Sequence, residues 1–124
     1  MLPKALVREF KAQVGEDNVF ADPADLITYS YDAAPLEPVT PALVVRPANG
    51  EALSRAVRLC NQNGLPLTVR GAGTNLSGGT VPPAGGVVVV TNGLNRILEI
   101  NSEDMYAVVE PGVVTAKFAA AAQA

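Results

Sequence analysis

Apolar side chains recur every four residues at Leu2, Leu6, Phe10 and Val14, a spacing that stacks them on one face of an α-helix. Pro3 suits the first turn of that helix and Gly15 its stop. Asp22 before Pro23 predicts an N-cap for a short helix over Ala24 to Tyr29, after which Pro35, Pro38 and Pro41 enforce an extended passage. The pattern then changes. Ala42 to Arg46 is a β-branched run suited to a buried strand, closed by Pro47. Asn49 predicts the cap of a helix over Gly50 to Asn63, with Leu53, Ala56, Val57 and Cys60 facing inward and Gly64 in the left-handed position beyond its end. Leu67 to Arg70 reads as a second strand and Val87 to Thr91 as a third, whose unbroken valines predict apolar cover on both faces. Ile97 to Asn101 and Tyr106 to Val109 predict a hairpin-like pair around Ser102 to Met105. Pro111 and Gly112 break the pattern, and Thr115 is placed to cap a helix from Ala116 onward.

Strand, helix and strand within about thirty residues make a βαβ unit, whose crossover should be right-handed and whose strands should lie parallel in one sheet. The fold class is therefore α/β (α+β). The last helix runs into AAAAQA without a cap, a closing glycine or a later element to pack against. That ending predicts the front part of a larger protein, the alternative being a frayed terminal helix.

At 124 residues the chain can bury a core without disulfides or metals, and one domain is expected. Its single cysteine, Cys60, has no partner for a disulfide, which fits a reducing cytoplasm. No histidine is present, so these residues can form neither a Ser-His-Asp triad nor a histidine-based zinc site. No metal ligands and no catalytic residues are assigned. Lys4, Arg8, Glu9 and Lys11 interrupt any signal-peptide core, and Val87 to Val90 is far too short to span a bilayer, so the expectation is a soluble protein with no transmembrane segment. A net charge of −3 argues against nucleic-acid binding, although Ala52 through Leu98 contains no acid and holds Arg55, Arg58, Arg70 and Arg96. Chance spacing of the acids would account for that region equally well.

One loop stands apart. RGAGTNLSGGT, residues 70–80, follows the second strand directly and holds a single large apolar side chain, Leu76. Carboxyl ends of strands are where open α/β sheets bind ligands. Glycines at 71 and 73 can take the positive φ of an anion-binding nest, while Thr74, Asn75, Ser77 and Thr80 offer donors without bulk. No charged residue lies between Gly71 and Asn95, so an anion there would be held by oriented dipoles, with Arg70 at the entrance; a diphosphate suits such a seat. The bland alternative is a flexible glycine turn. A Walker loop is excluded because no lysine lies between Lys11 and Lys117. The dinucleotide fingerprint GxGxxG fails at Leu76 and lacks the acid some twenty residues on.

The stretches LVVRPANGEALSRAVRLCNQNG, LPLTVRGAGTNLSGGTVP and GGVVVVTNGLNRILEINSEDMYAVVEPGV resemble the flavin-binding segment of the FAD-linked oxidase superfamily, of vanillyl-alcohol oxidase or PCMH type. The likeness is strongest to its glycolate oxidase and D-lactate dehydrogenase members and covers the chain from about Asp22 on. It implies a βαβ-containing first subdomain of a PCMH-type FAD-binding domain: residues 1–35 as an N-terminal helical segment, and residues 36–124 as the first part of that domain, without its second subdomain and substrate cap. It further implies that Val69, Arg70, Gly71, Ala72, Gly73, Thr74 and Asn75 line the FAD pyrophosphate, continued by Gly79 and Thr80. Arg70 would either screen phosphate charge or pair with a carboxylate. Glu110, Pro111 and Gly112 match a recurrent element of the fold, but read more simply as a strand ending in a turn; Tyr29 and Tyr31 read as packing residues. Some relatives attach FAD through a histidine near this loop, where Thr74 and Asn75 stand here, so noncovalent FAD is implied. Cys60 reads as buried filler.

The activity implied is oxidation of a D-2-hydroxy acid to the 2-oxo acid, with a substrate site outside this chain and with iron–sulfur and second flavoprotein-like subunits as partners. A reductase of UDP-N-acetylenolpyruvylglucosamine on the same fold, or a noncatalytic module without FAD, are the alternatives. By itself the chain is expected to hold FAD weakly or not at all, with apolar surface exposed or covered in an oligomer.

Overall fold

Four consecutive valines, Val87–Val90, form the strand around which the chain is organised; the structure, a computed structural model, describes every residue from Met1 to Ala124. In chain order the elements are α1 (Lys4–Val14), β1 (Val19–Phe20), α2 (Pro23–Ile27), β2 (Leu43–Val45), α3 (Gly50–Gln62), β3 (Leu67–Arg70), β4 (Val87–Val90), β5 (Ile97–Asn101), β6 (Tyr106–Val109) and α4 (Thr115–Gln123). The first four strands form one sheet in the order β1-β2-β4-β3. β4 runs parallel to both neighbours, Val87 facing Leu43 on one side and Leu67 on the other, while β1 pairs antiparallel with β2. The two strands of the expected βαβ unit thus share a sheet but do not touch, because β4 lies between them.

Side chains alternate across a strand, and here both sides are covered. On one face Phe10 and Val14 of α1 and Ala52, Ala56, Leu59 and Cys60 of α3 pack on Leu43, Val45, Val87 and Val89. On the other, Leu26, Phe20 and Tyr29 pack on Val44, Val88 and Val90. This double cover is why the valine run shows no polar alternation.

Local chemistry sets the helix ends. Asn49 Oδ1 accepts the Ala52 N–H at 2.8 Å to open α3, and Gly64, at φ +63°, follows its end. Asp22 Oδ1 accepts the Ala24 N–H at 2.9 Å to open α2. That helix stops at Ile27, short of the predicted Tyr29, where the Ser30 hydroxyl donates to the Ile27 carbonyl at 2.7 Å. Ala56 and Cys60 are buried and Leu53 packs on the core as the spacing suggested, but Val57 is 45% exposed, and Ala52 and Leu59 complete the buried stripe of α3. Thr115 begins α4 rather than capping it, and Val114 holds the cap position without a side-chain bond.

β5 and β6 form a separate antiparallel ribbon, irregular between Ile97 and Glu99, on which Leu98, Ile100, Tyr106 and Val108 remain exposed. At its base the Glu110 carboxylate accepts from the Arg96 N–H at 2.8 Å and from Nη2 at 2.9 Å. These bonds hold the Glu110 carboxyl below its usual 4.5. Gly112 donates its N–H to the Leu94 carbonyl at 2.7 Å, and a Cβ there would strike the Thr91 carbonyl. Glu110 to Gly112 is therefore a strand ending in a turn. No helix is long and apolar enough to cross a membrane.

Phe10 is fully buried against both α3 and the sheet. Phe10→Ala should lower the unfolding free energy by about 3–5 kcal/mol in urea titrations, within one cooperative transition that includes α1. A loss below about 1 kcal/mol would show that α1 is not part of that core.

Candidate functional site

β3 is the edge strand of the sheet and delivers the glycine loop at its carboxyl end. Backbone N–H groups normally find acceptors within the fold. From Gly71 through Gly79 not one donates to a carbonyl or side chain of the protein; the next bond between main-chain groups is from the Val81 N–H to the Gly78 carbonyl at 3.1 Å. At the two ends of the run a Cβ on Gly71 or Gly79 would meet nothing within 4 Å. Positive φ occurs at Gly73 (+74°) and Gly78 (+75°), not at Gly71. Gly71 leaves β3 without the reversal, which the chain makes two residues later.

Arg70 lies beneath this loop. It is 7% exposed, its Nη1 donates to the Tyr31 carbonyl, and its guanidinium carbon sits 5.5 Å from the Tyr29 ring centroid. A Cβ on Gly73 would collide with the guanidinium, so the loop passes over it only because residue 73 has no side chain. No carboxylate pairs with Arg70, the two ion pairs of the chain being Lys11 with Glu16 and Arg96 with Glu110. A buried cation without a counter-charge carries an uncompensated desolvation cost, which an anion above the loop would offset.

Asn75 and Thr80 serve a different purpose from the one their donors suggested. Asn75 Nδ2 donates to Asp32 Oδ2 at 2.8 Å and the Thr80 hydroxyl lies 3.2 Å from the same oxygen. Their side chains face the protein. Val69, Ala72 and Thr74 are exposed, and no bond engages the Thr74 hydroxyl. Burial pushes the Asp32 carboxyl up, but bonds from the Ala34 N–H, the Thr80 and Asn75 side chains and the Thr80 N–H together outweigh it and hold the group below its usual 3.8. Asp32 and Gly78 are the site residues that sequence reasoning missed. The signal for Asp32 was a carboxylate followed by small residues, able to accept from an N–H two positions on.

Two clefts lie elsewhere. One of about 590 Å³, lined by Lys4, Val7, Arg8, Lys11, Pro41 and Gly85, opens beside the amino ends of β2 and β4. One of about 200 Å³ lies between the base of the ribbon and Lys117 of α4. Neither takes in residues 69–80, because an amide nest is a shallow feature of the surface.

The glycine loop leaves its amides without internal acceptors above a buried cation at a strand's carboxyl end, and the chain belongs to the FAD binding domain family, whose pattern it matches over residues 41–124. It is 42% identical over 110 residues to the glycolate oxidase subunit GlcD of Bacillus subtilis, covering 88% of this chain and 23% of that protein. It is 36% identical over 117 residues to the D-2-hydroxyglutarate dehydrogenase of Stutzerimonas stutzeri, covering 94% of this chain and 25% of that one. The crystal structure of p-cresol methylhydroxylase with substrate bound superposes with a TM-score of 0.84 at 29% identity, over 96% of this chain and 24% of that chain. The chain spans about a quarter of the length of these relatives.

The Asp32 carboxylate, held below its usual 3.8, stabilises the fold fully above that value and loses its contribution as pH falls through it toward the folded-state pKa. Thermal midpoints of the wild type and Asp32→Asn should therefore differ most near neutral pH and converge as pH falls below the folded-state pKa. A difference that stays constant with pH would refute the ionised clamp.

Proposed function

We propose that this chain supplies the diphosphate seat for noncovalently held FAD in an oxidoreductase that converts a D-2-hydroxy acid to its 2-oxo acid, in the manner of the glycolate oxidase and D-2-hydroxyglutarate dehydrogenase relatives. The observation that carries the reading is the unbroken run of unpaired amides from Gly71 to Gly79. Gly71, Ala72, Gly73, Thr74 and Asn75 would present main-chain donors to one phosphate and Gly79 to the other, each charge-assisted bond contributing about 1.5–3 kcal/mol, while Thr80 borders the seat with its N–H and hydroxyl turned to Asp32. Val69 sets the direction in which β3 enters the loop. Arg70 acts from below, its charge felt through the thin glycine backbone rather than by contact. Bound flavin takes up the hydride equivalent released when the substrate hydroxyl carbon becomes a carbonyl.

Covalent attachment has no support among these side chains. The chain has no histidine. Cys60 is buried between α3 and the sheet, where burial pushes its thiol up to about 11, leaving it protonated and unreactive at neutral pH. A lone reduced thiol also suits the cytoplasm, where we place the protein. The name of the Bacillus relative as a subunit supports assembly with further chains.

Inorganic pyrophosphate titrated into the 15N-labelled chain should shift the amide resonances of Gly71 to Gly79 saturably and leave the β5–β6 ribbon unmoved. Gly73→Val, which sets a branched side chain against Arg70 at φ +74°, should weaken that response at least about tenfold and, in the complete enzyme, abolish retention of FAD. Equal affinity in the variant, or shifts confined to other residues, would disprove the seat.

A further inference from the structure

We propose that Asp32 is the positioning residue of the diphosphate loop: its carboxylate ties the loop down by the side chains of Asn75 and Thr80, so that the amides between Gly71 and Gly79 are left facing outward in a preset arrangement. This role rests on the reading of the loop as a diphosphate seat.

The geometry is specific. Asp32 is 8% exposed and has no cationic partner, yet both oxygens are engaged. Oδ1 accepts the Ala34 N–H at 2.8 Å, which shapes the 32–34 turn. Oδ2 accepts from Asn75 Nδ2 at 2.8 Å and lies 3.2 Å from Thr80 Oγ1. Thr80 Oγ1 is also 3.1 Å from Asn75 Oδ1, and its one proton serves a single acceptor at a time. The Ala33 N–H adds a main-chain bond to the Asn75 carbonyl at 3.2 Å. Further along, a Cβ on Gly78 would strike Leu36 Cδ1, so the loop rests directly on the segment after Asp32.

An acidic group beneath a seat for an anion looks contradictory until its bonds are followed. Every donor aimed at Asp32 is one removed from competition for the ligand, and each side chain it engages fixes the backbone that carries it. Between these anchors no main-chain N–H from Gly71 to Gly79 has an acceptor within the protein. Without the clamp its amides would have to be ordered by the ligand, at a cost in affinity. Arg70, bonded to the carbonyl of the adjacent Tyr31, places a positive charge in the same neighbourhood.

Asp32→Ser separates the two tasks of the residue: a serine hydroxyl can still accept the Ala34 N–H of the turn but is too short to reach Asn75 and Thr80. Thr80→Val removes one arm without altering residue 32. In 15N spectra of the full chain, both variants should keep the Val44 and Val88 amides in place while those of Gly71 to Gly79 move or broaden before any ligand is added. Pyrophosphate affinity should fall at least about tenfold in Asp32→Ser and less in Thr80→Val. A wild-type loop that ignores pyrophosphate would sink the diphosphate reading and this role with it. A wild-type response retained in full by Asp32→Ser would sink this role alone.

Discussion

Backbone amides demand acceptors, and the glycine loop leaves every one of them from Gly71 to Gly79 without any. Everything else about the loop follows from that condition. Leu76 is its one large apolar side chain and stands in solvent, the reversal falls at glycines 73 and 78, and the buried guanidinium below supplies a positive background. A loop that merely linked two strands would have no use for such openness, because its donors could close on its own carbonyls in ordinary turns.

The scaffold makes the openness affordable. β3 is held only along one edge, by β4, and β4 is in turn fixed by β2 and by apolar cover above and below. The strand end that carries the loop is thus anchored by the most buried residues of the chain. On the flank, the 30–36 segment supplies polar bonds instead of apolar contact, so the loop is restrained from two sides by different physics. The family relationship points to FAD as the cofactor, and the share of its surroundings proposed for this chain is the diphosphate portion.

Much of this was legible along the chain. The four-residue spacing of α1, the Asn49 cap, the valine run and both strands of the ribbon lie where the pattern puts them, since each is governed by near neighbours. What escaped depends on distant pairing. β1 has two residues, too few for any periodicity, and exists because Val19 and Phe20 meet Val45 and Val44. The insertion of β4 between β2 and β3 is equally invisible locally. Gly71 was expected to take positive φ because it heads the glycine cluster, yet the loop turns at Gly73 and Gly78. The side chains of Asn75 and Thr80 were read as ligand donors since nothing in a linear pattern shows a carboxylate 43 positions from one and 48 from the other.

The strand order has a consequence for the chain as it leaves the ribosome. β2 and β3 cannot pair with each other; each waits for the central strand, which is the last of the four to be made. Until Val90 has emerged, the helices α1 and α3 have only half a surface to settle on, and the edges of two hydrophobic strands stay open to other nascent chains. The four valines of β4 supply the partner edge for both strands at once, so the sheet can close only after their arrival.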